Sequence, residues 1–182
     1  GDMLFNSAVI LRGSGSSAAF NAGTGTIGMN SGLTAGNYSV TLTADDINLG
    51  GAIAGSSTLV LQPTTPTRAM TIGGTQNNPE TLTLTTSEIA ALQDGFTGIT
   101  IGRANSSGLI TIGGDLTFNN PVTIQTPTGS GAIASNPNLE AISITGLGDT
   151  SITLAANNEI QIPNVNITAP RGISITSQAG AI

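Results

Sequence analysis

The chain has no cysteine, no histidine, no lysine and no tryptophan, and its basic residues are four arginines, Arg12, Arg68, Arg103 and Arg171. Without cysteine there can be no disulfide and no thiolate metal site. Losing histidine and lysine removes the commonest general base, the imidazole metal ligand and the Schiff-base nucleophile together. Four arginines against ten acids leave a net charge of -6. No basic patch faces a phosphate backbone, so nucleic acid is not expected as a partner. No apolar run is long enough to span a bilayer and no signal peptide opens the chain, so membrane insertion is not expected either. Aromatics are 3% of the residues, too few rings to fill a wide core.

What is abundant is small. Threonine supplies 27 residues, glycine 25 and isoleucine 21, while charged residues are 8%. Low charge with this much isoleucine and valine excludes a solvated coil. The dominant pattern is an apolar-x-apolar doublet, most often with Thr or Ser in the middle. It occurs at Val40-Thr41-Leu42, Leu59-Val60-Leu61, Met70-Thr71-Ile72, Leu82-Thr83-Leu84, Ile99-Thr100-Ile101, Ile110-Thr111-Ile112 and Leu116-Thr117-Phe118. It continues at Val122-Thr123-Ile124, Ile142-Ser143-Ile144, Ile152-Thr153-Leu154, Ile160-Gln161-Ile162, Val165-Asn166-Ile167 and Ile173-Ser174-Ile175. Each doublet is a strand of about three to five residues with two side chains on one face and one on the other. Between them lie turn formers such as Gly73-Gly74-Thr75-Gln76-Asn77-Asn78-Pro79 and Asn119-Asn120-Pro121.

A β-sandwich needs longer strands, tight hairpin dipeptides and bulky core residues. Very short strands carrying stacked small aliphatics suit a β-solenoid instead. The expected fold is therefore all-β, a parallel β-helix (β-solenoid) of about seven or eight coils, each using about 20 to 27 residues. Residues 1–182 are read as a single segment. Ile101, Ile112, Ile144 and Ile162 are expected to point inward in aliphatic ladders. One stretch departs from the pattern: Thr85-x-x-Glu88 forms a capping box, and Ile89, Leu92 and Phe96 fall on one helical face before and after Gly95. It predicts one short flanking helix near residues 86–94.

Two blocks carry a resemblance. Leu61-Gln62-Pro63, Met70-Thr71-Ile72-Gly73-Gly74, Leu82-Thr83-Leu84 and Leu92-Gln93-Asp94-Gly95-Phe96 through Ile99-Thr100-Ile101-Gly102-Arg103 make up the first. Asp46-Ile47-Asn48-Leu49-Gly50-Gly51 and Ile152 to Ile160 make up the second. Together they resemble the filamentous-haemagglutinin-like repeat regions of giant bacterial exoproteins. The resemblance implies a right-handed parallel β-helix, export to the bacterial cell surface, and a structural or adhesive role in a filament. Its partners would be neighbouring repeats stacked end to end, and a glycan or protein receptor. Asn136-Pro137-Asn138-Leu139 also resembles a motif of the two-partner secretion domain, but the companion Asn-Pro-Asn-Gly is missing, and the tetrapeptide is assigned a turn.

Catalysis would need paired carboxylates on one face. The acids Asp2, Asp45, Asp46, Glu80, Glu88, Asp94, Asp115, Glu140, Asp149 and Glu159 are scattered. Only Asp45 and Asp46 adjoin, and neighbours on a regular strand point to opposite faces. The acids read as turn caps and solubilising charges, so no catalytic, cofactor-binding or metal-binding residue is assigned and the chain is not expected to be an enzyme. Calcium loops of the Asp-x-Asp-x-Asp type are absent. Rows such as Thr81-Leu82-Thr83-Leu84-Thr85 are read as outward β-formers rather than an ice-binding array, because their spacing is irregular. The alternative function is a glycan-binding or phage-tail-like module, whose signature would be Tyr38 clustered with acids and amides. Gly180-Ala181-Ile182 repeats Gly51-Ala52-Ile53 and Gly131-Ala132-Ile133, which leads to the expectation of an interior slice of a longer repetitive protein.

Overall fold

The computed structural model describes residues 1–13 and 16–182. Among these are nineteen strands and one helix. First come β1 (Met3–Phe5), β2 (Val9–Ile10), β3 (Ser17–Met29), β4 (Leu33–Thr34), β5 (Ser39–Asn48), β6 (Ile53–Ala54) and β7 (Thr58–Gln62). Then come β8 (Met70–Ile72), β9 (Leu82–Leu84), the helix α1 (Thr86–Ala90), β10 (Gly98–Ile101), β11 (Ile110–Ile112), β12 (Leu116–Phe118) and β13 (Val122–Thr126). The chain closes with β14 (Ile133–Ser135), β15 (Ile142–Gly146), β16 (Ser151–Ala156), β17 (Ile160–Gln161), β18 (Val165–Thr168) and β19 (Gly172–Ser177). Every one of the thirteen doublets meets a strand. The Ala- and Gly-rich β3 has no doublet and was not legible.

The fold is all-β and parallel. One sheet has eight strands in the order β1-β3-β5-β7-β10-β13-β16-β19, and smaller sheets run β17-β14-β11-β8-β9, β12-β15-β18 and β2-β4-β6. The chain visits a smaller sheet between successive strands of the large one, so each large-sheet strand pairs with a segment many residues away. At about 4.8 Å per strand, eight strands extend about 34 Å along the stacking direction.

Register aligns like with like. One inward row of the large sheet is Val40, Leu59, Ile99, Val122, Ile152 and Ile173. The next is Leu42, Leu61, Ile101, Ile124, Leu154 and Ile175. The five-stranded sheet adds Leu82, Met70, Ile110, Ile133 and Ile160. These rows meet in one core, in which Leu42, Leu61, Ile72, Ile101, Ile112 and Ile144 have no exposed surface. Ile162 differs from expectation: it is only half-buried, because it lies past the end of β17, whose paired residues stop at Gln161.

The passages between rows are less uniform than expected. Ile99 pairs with Leu59, a separation of 40 residues, and Ile152 pairs with Val122, a separation of 30. The longer passage contains β9, which lies parallel to its own predecessor β8 with Leu82 opposite Met70. A parallel return normally takes a long crossover. Here the strands are three residues long, so residues 73–81 suffice to carry the chain back. Gly73 (φ 90°) and Gly74 (φ 82°) open this loop in the left-handed region.

The helix is shorter than expected. The capping box forms, with Glu88 N donating to Thr85 Oγ1 and Thr85 N donating to Glu88 Oε2. Helix α1 nevertheless ends at Ala90, because Leu92 forms a parallel bridge with Ile53 and Gln93 N donates to Ile53 O at 2.9 Å. Ile53 takes the Ala91 carbonyl through its own N–H and accepts the Gln93 N–H, so another turn cannot form. Ile89, Leu92 and Phe96 are all buried, as the spacing predicted. Among the described residues no helix is long and apolar enough to cross a membrane.

Burial in these rows sets a graded test. Ile101→Asp and Ile144→Asp should each unfold the chain, since an unpaired carboxylate in a dry core costs several kcal/mol. Ile162→Asp, at a half-buried position, should shift the urea midpoint and leave the native circular dichroism intact. Equal tolerance of all three substitutions would show that the rows are wrongly placed.

Candidate functional site

The loop of residues 73–81 stands on the outer face of the stack, and two depressions flank it. The smaller has a volume of about 300 Å³ and is lined by Thr24, Thr26, Asp45, Asp46, Arg68, Asn77, Asn78, Pro79 and Thr81. The larger is an open trough of about 810 Å³ whose lining includes Thr71, Gly73, Gly74, Gln76, Thr111, Gly113, Gly114, Asp115, Asn136 and Leu139.

Asp45 and Asp46 both line the smaller cleft, against the expectation that adjacent strand residues point apart. The cause is a break in alternation. The pairing of β3 with β5 slips between Asn21 and Gly23 and again between Gly23 and Thr26. In step with this, Leu42, Thr43 and Ala44 are buried in succession. A bulge of this kind re-aims the residues beyond it. The sequence signal was present in Gly23 and Gly25, opposite a strand otherwise rich in β-branched residues.

The two carboxylates are differently held. Asp45 Oδ1 accepts from Thr64 N at 3.3 Å, and its Oδ2 lies 3.5 Å from Arg68 Nη1. Asp46 has no cation beside it: its Oδ2 accepts from Thr26 Oγ1 and Asn48 Nδ2, each at 3.3 Å. Arg68 is the strut of the cleft. Its Nη2 donates to Pro79 O at 2.8 Å, tying the overhanging loop to the stack, while its Nε is buried without a partner. Thr64 Oγ1 donates to Gly23 O and Arg103 Nη1 donates to Pro63 O and Thr64 O, so the floor on that side is fixed.

Four of the other acids act on backbone or in an ion pair. Glu88 is buried and accepts from Leu49 N as well as from its own cap. Asp115 Oδ1 accepts from Ser143 N at 2.7 Å, and Asp2 Oδ1 from Thr26 N at 2.9 Å. Asp149 and Arg171 pair at 2.9 Å on the surface, and the hydrogen bond and charge of Arg171 hold the Asp149 carboxyl below its ordinary range. Among the described residues no group of three or more His, Cys, Asp or Glu gathers to hold a metal. Asn136-Pro137-Asn138-Leu139 is a turn, in which Asn138 N donates to Asn136 Oδ1.

Tyr38 is half-buried against the core and donates to Arg12 O at 2.8 Å. It lines neither of these two depressions. Compared with known proteins, the chain matches no family model, no curated protein and no solved structure.

If Arg68 is the strut, Arg68→Ala should free the loop. Amide exchange at Thr81 and Glu80 should accelerate by the equivalent of about 2 kcal/mol, a charged hydrogen bond's worth. Amides of the inward rows should exchange as before. Unchanged protection in the loop would show that Arg68 does not hold it.

Proposed function

We propose that the chain is a right-handed parallel β-helix segment of a secreted bacterial cell-surface filament, a structural and adhesive module of the filamentous-haemagglutinin-like kind with no catalysis. One observation carries the reading: the inward aliphatic rows of the eight-stranded sheet are covered in its middle and less covered toward its two edges. Ile152 has no exposed surface, but its row partner Ile173 is 46% exposed. Ile175, Val165 and Ile167 on the same side are half-buried, as are Met3, Phe5, Val9 and Phe20 on the other. The edge strands also carry backbone groups with no strand beside them, which favours the addition of another strand. A further layer of the same kind, in the same protein or in a second copy, complements both faces.

The engagement of Asp45 by its neighbours supports the non-catalytic part of the reading. Acid–base hydrolysis of a glycosidic bond needs two carboxylates available for proton transfer. In the cleft Asp45 has both oxygens engaged, which leaves Asp46 without a working partner.

Sedimentation velocity checks the stacking. The 182-residue chain should associate progressively as concentration rises toward about a millimolar, the range of a weak single-layer contact. Ile173→Asp should abolish association while leaving the fold intact. A strictly monomeric species across that range would remove the basis for the reading.

Catalysis has its own check. Incubation with plant, algal and bacterial polysaccharides should release no reducing ends and no unsaturated products. Release that disappears in Asp45→Asn or Asp46→Asn would make the cleft an active site.

A further inference from the structure

We propose that the cleft beneath the 73–81 loop binds a single neutral saccharide unit, with Asp46 as its principal hydrogen-bond acceptor. This deepens the attachment reading above by naming the class of ligand and the place. It does not depend on whether copies stack.

Four features converge on an uncharged polyol. The volume of about 300 Å³ is at the small end of ligand sites, enough for one ring. The cleft mixes both hydrogen-bonding senses: among the described residues, Asp46 Oδ1 accepts from no donor and the amide of Asn77 makes no side-chain bond. Asn78, which lines both depressions, spends its Oδ1 on Glu80 N, and its NH₂ makes no hydrogen bond among the described residues. A sugar hydroxyl both donates and accepts, so one ring can satisfy a carboxylate and an amide at once.

Charge narrows the class further. Arg68 is already committed to Asp45 and to Pro79 O, so no guanidinium remains to receive a carboxylate, sulfate or phosphate group. Asp46 repels those groups. A calcium ion would be opposed by Arg68, which stands 3.5 Å from the adjoining carboxylate. Pro79 supplies the one apolar lining surface against which ring C–H groups can rest.

The site is also pre-formed. Asp46, opposite the bulge in β3, is held through Thr26 and Asn48, and Arg68 holds the loop through Pro79, so neither wall has to order on binding. The larger trough lacks this: its one carboxylate, Asp115, already accepts from Ser143 N.

The test is an NMR titration of the intact 182-residue chain with the methyl glycosides of glucose, galactose, mannose and N-acetylglucosamine. At least one should shift the amides of Asp46, Asn77 and Asn78 in a saturable way, with a Kd of about a millimolar. Asp46→Ala should weaken that binding at least about tenfold. Asn77→Ala, an exposed residue with no bond to lose, should weaken it severalfold in a chain whose fold is untouched. Asn136→Ala in the trough should leave it unchanged. The proposal fails if none of the four glycosides moves the cleft amides, or if the two cleft variants bind as well as the parent. It also fails if calcium chloride or methylammonium produces the shifts that the glycosides do not. Each of these outcomes leaves the sedimentation result, and hence the filament reading, to stand or fall separately.

Discussion

Parallel pairing in strict register is the constraint on which the rest of the molecule depends. Strands about 4.8 Å apart place each inward side chain directly on the one in the next strand. The row Leu42, Leu61, Ile101, Ile124, Leu154, Ile175 is the result. A residue in such a row must match its neighbours in breadth, because a large ring would spread the layers and a small one would leave a void. Leucine, isoleucine and valine meet that condition at every level, which accounts for a core with almost no rings. The buried rings of Phe96 and Phe118 lie outside the two long rows of the large sheet. Phe5 and Phe20 meet edge to face at 5.6 Å beside the outermost strand.

Register constrains where the chain returns, not how far it travels between returns. The passage from Leu61 to Ile101 therefore holds a second short strand, a helix and the overhanging loop without disturbing the row. Longer excursions need their polar groups satisfied, and the turns supply this from buried side chains. Asn120 Oδ1 accepts from Gly95 N and Phe96 N while its Nδ2 donates to Gln93 O, pinning the end of that passage. Thr126 donates to Gly108 O and Ser106 to Pro66 O in the same manner. Gly102, at φ 101°, sits where an added Cβ would meet Gln125 O at 2.1 Å, so the strand can leave the sheet there only without a side chain.

The doublets were legible because their period of two is a local property, visible wherever a strand has one inward face. The capping box at Thr85 and Glu88 was legible for the same reason. What could not be read was set by partners distant in sequence. Helix α1 stops at Ala90 because Ile53 bonds to the Ala91 carbonyl and the Gln93 N–H, and nothing near Leu92 announces that. The strand β3 was missed because Ala18 and Ala19 lack the branched signature, although register with Val40 and Thr41 makes them strand residues. The cleft was hidden by a rule that is correct for regular strands. Asp45 and Asp46 would face apart if β5 alternated, and the slip opposite Gly23 brings them together.

A stack of this kind derives its stability from neighbours rather than from any one layer. Ordering a layer of about twenty residues costs roughly 1–2 kcal/mol per residue in backbone entropy, whichever position the layer occupies. A middle layer offsets that by burying both its upper and lower surfaces, so Ile99, Ile101, Val122 and Ile124 are all at most 2% exposed. An edge layer bears the same cost and covers one surface, leaving Ile173 at 46% exposure. A strand inside the large sheet is therefore better offset against its ordering cost than a strand at its edge. The outward face takes no part in this balance, since Thr100, Thr123 and Thr153 in the large sheet can vary without touching the rows. A fold whose stability lies wholly inside is free to carry a local irregularity outside, and the bulged strand with its overhanging loop is the place where this chain does so.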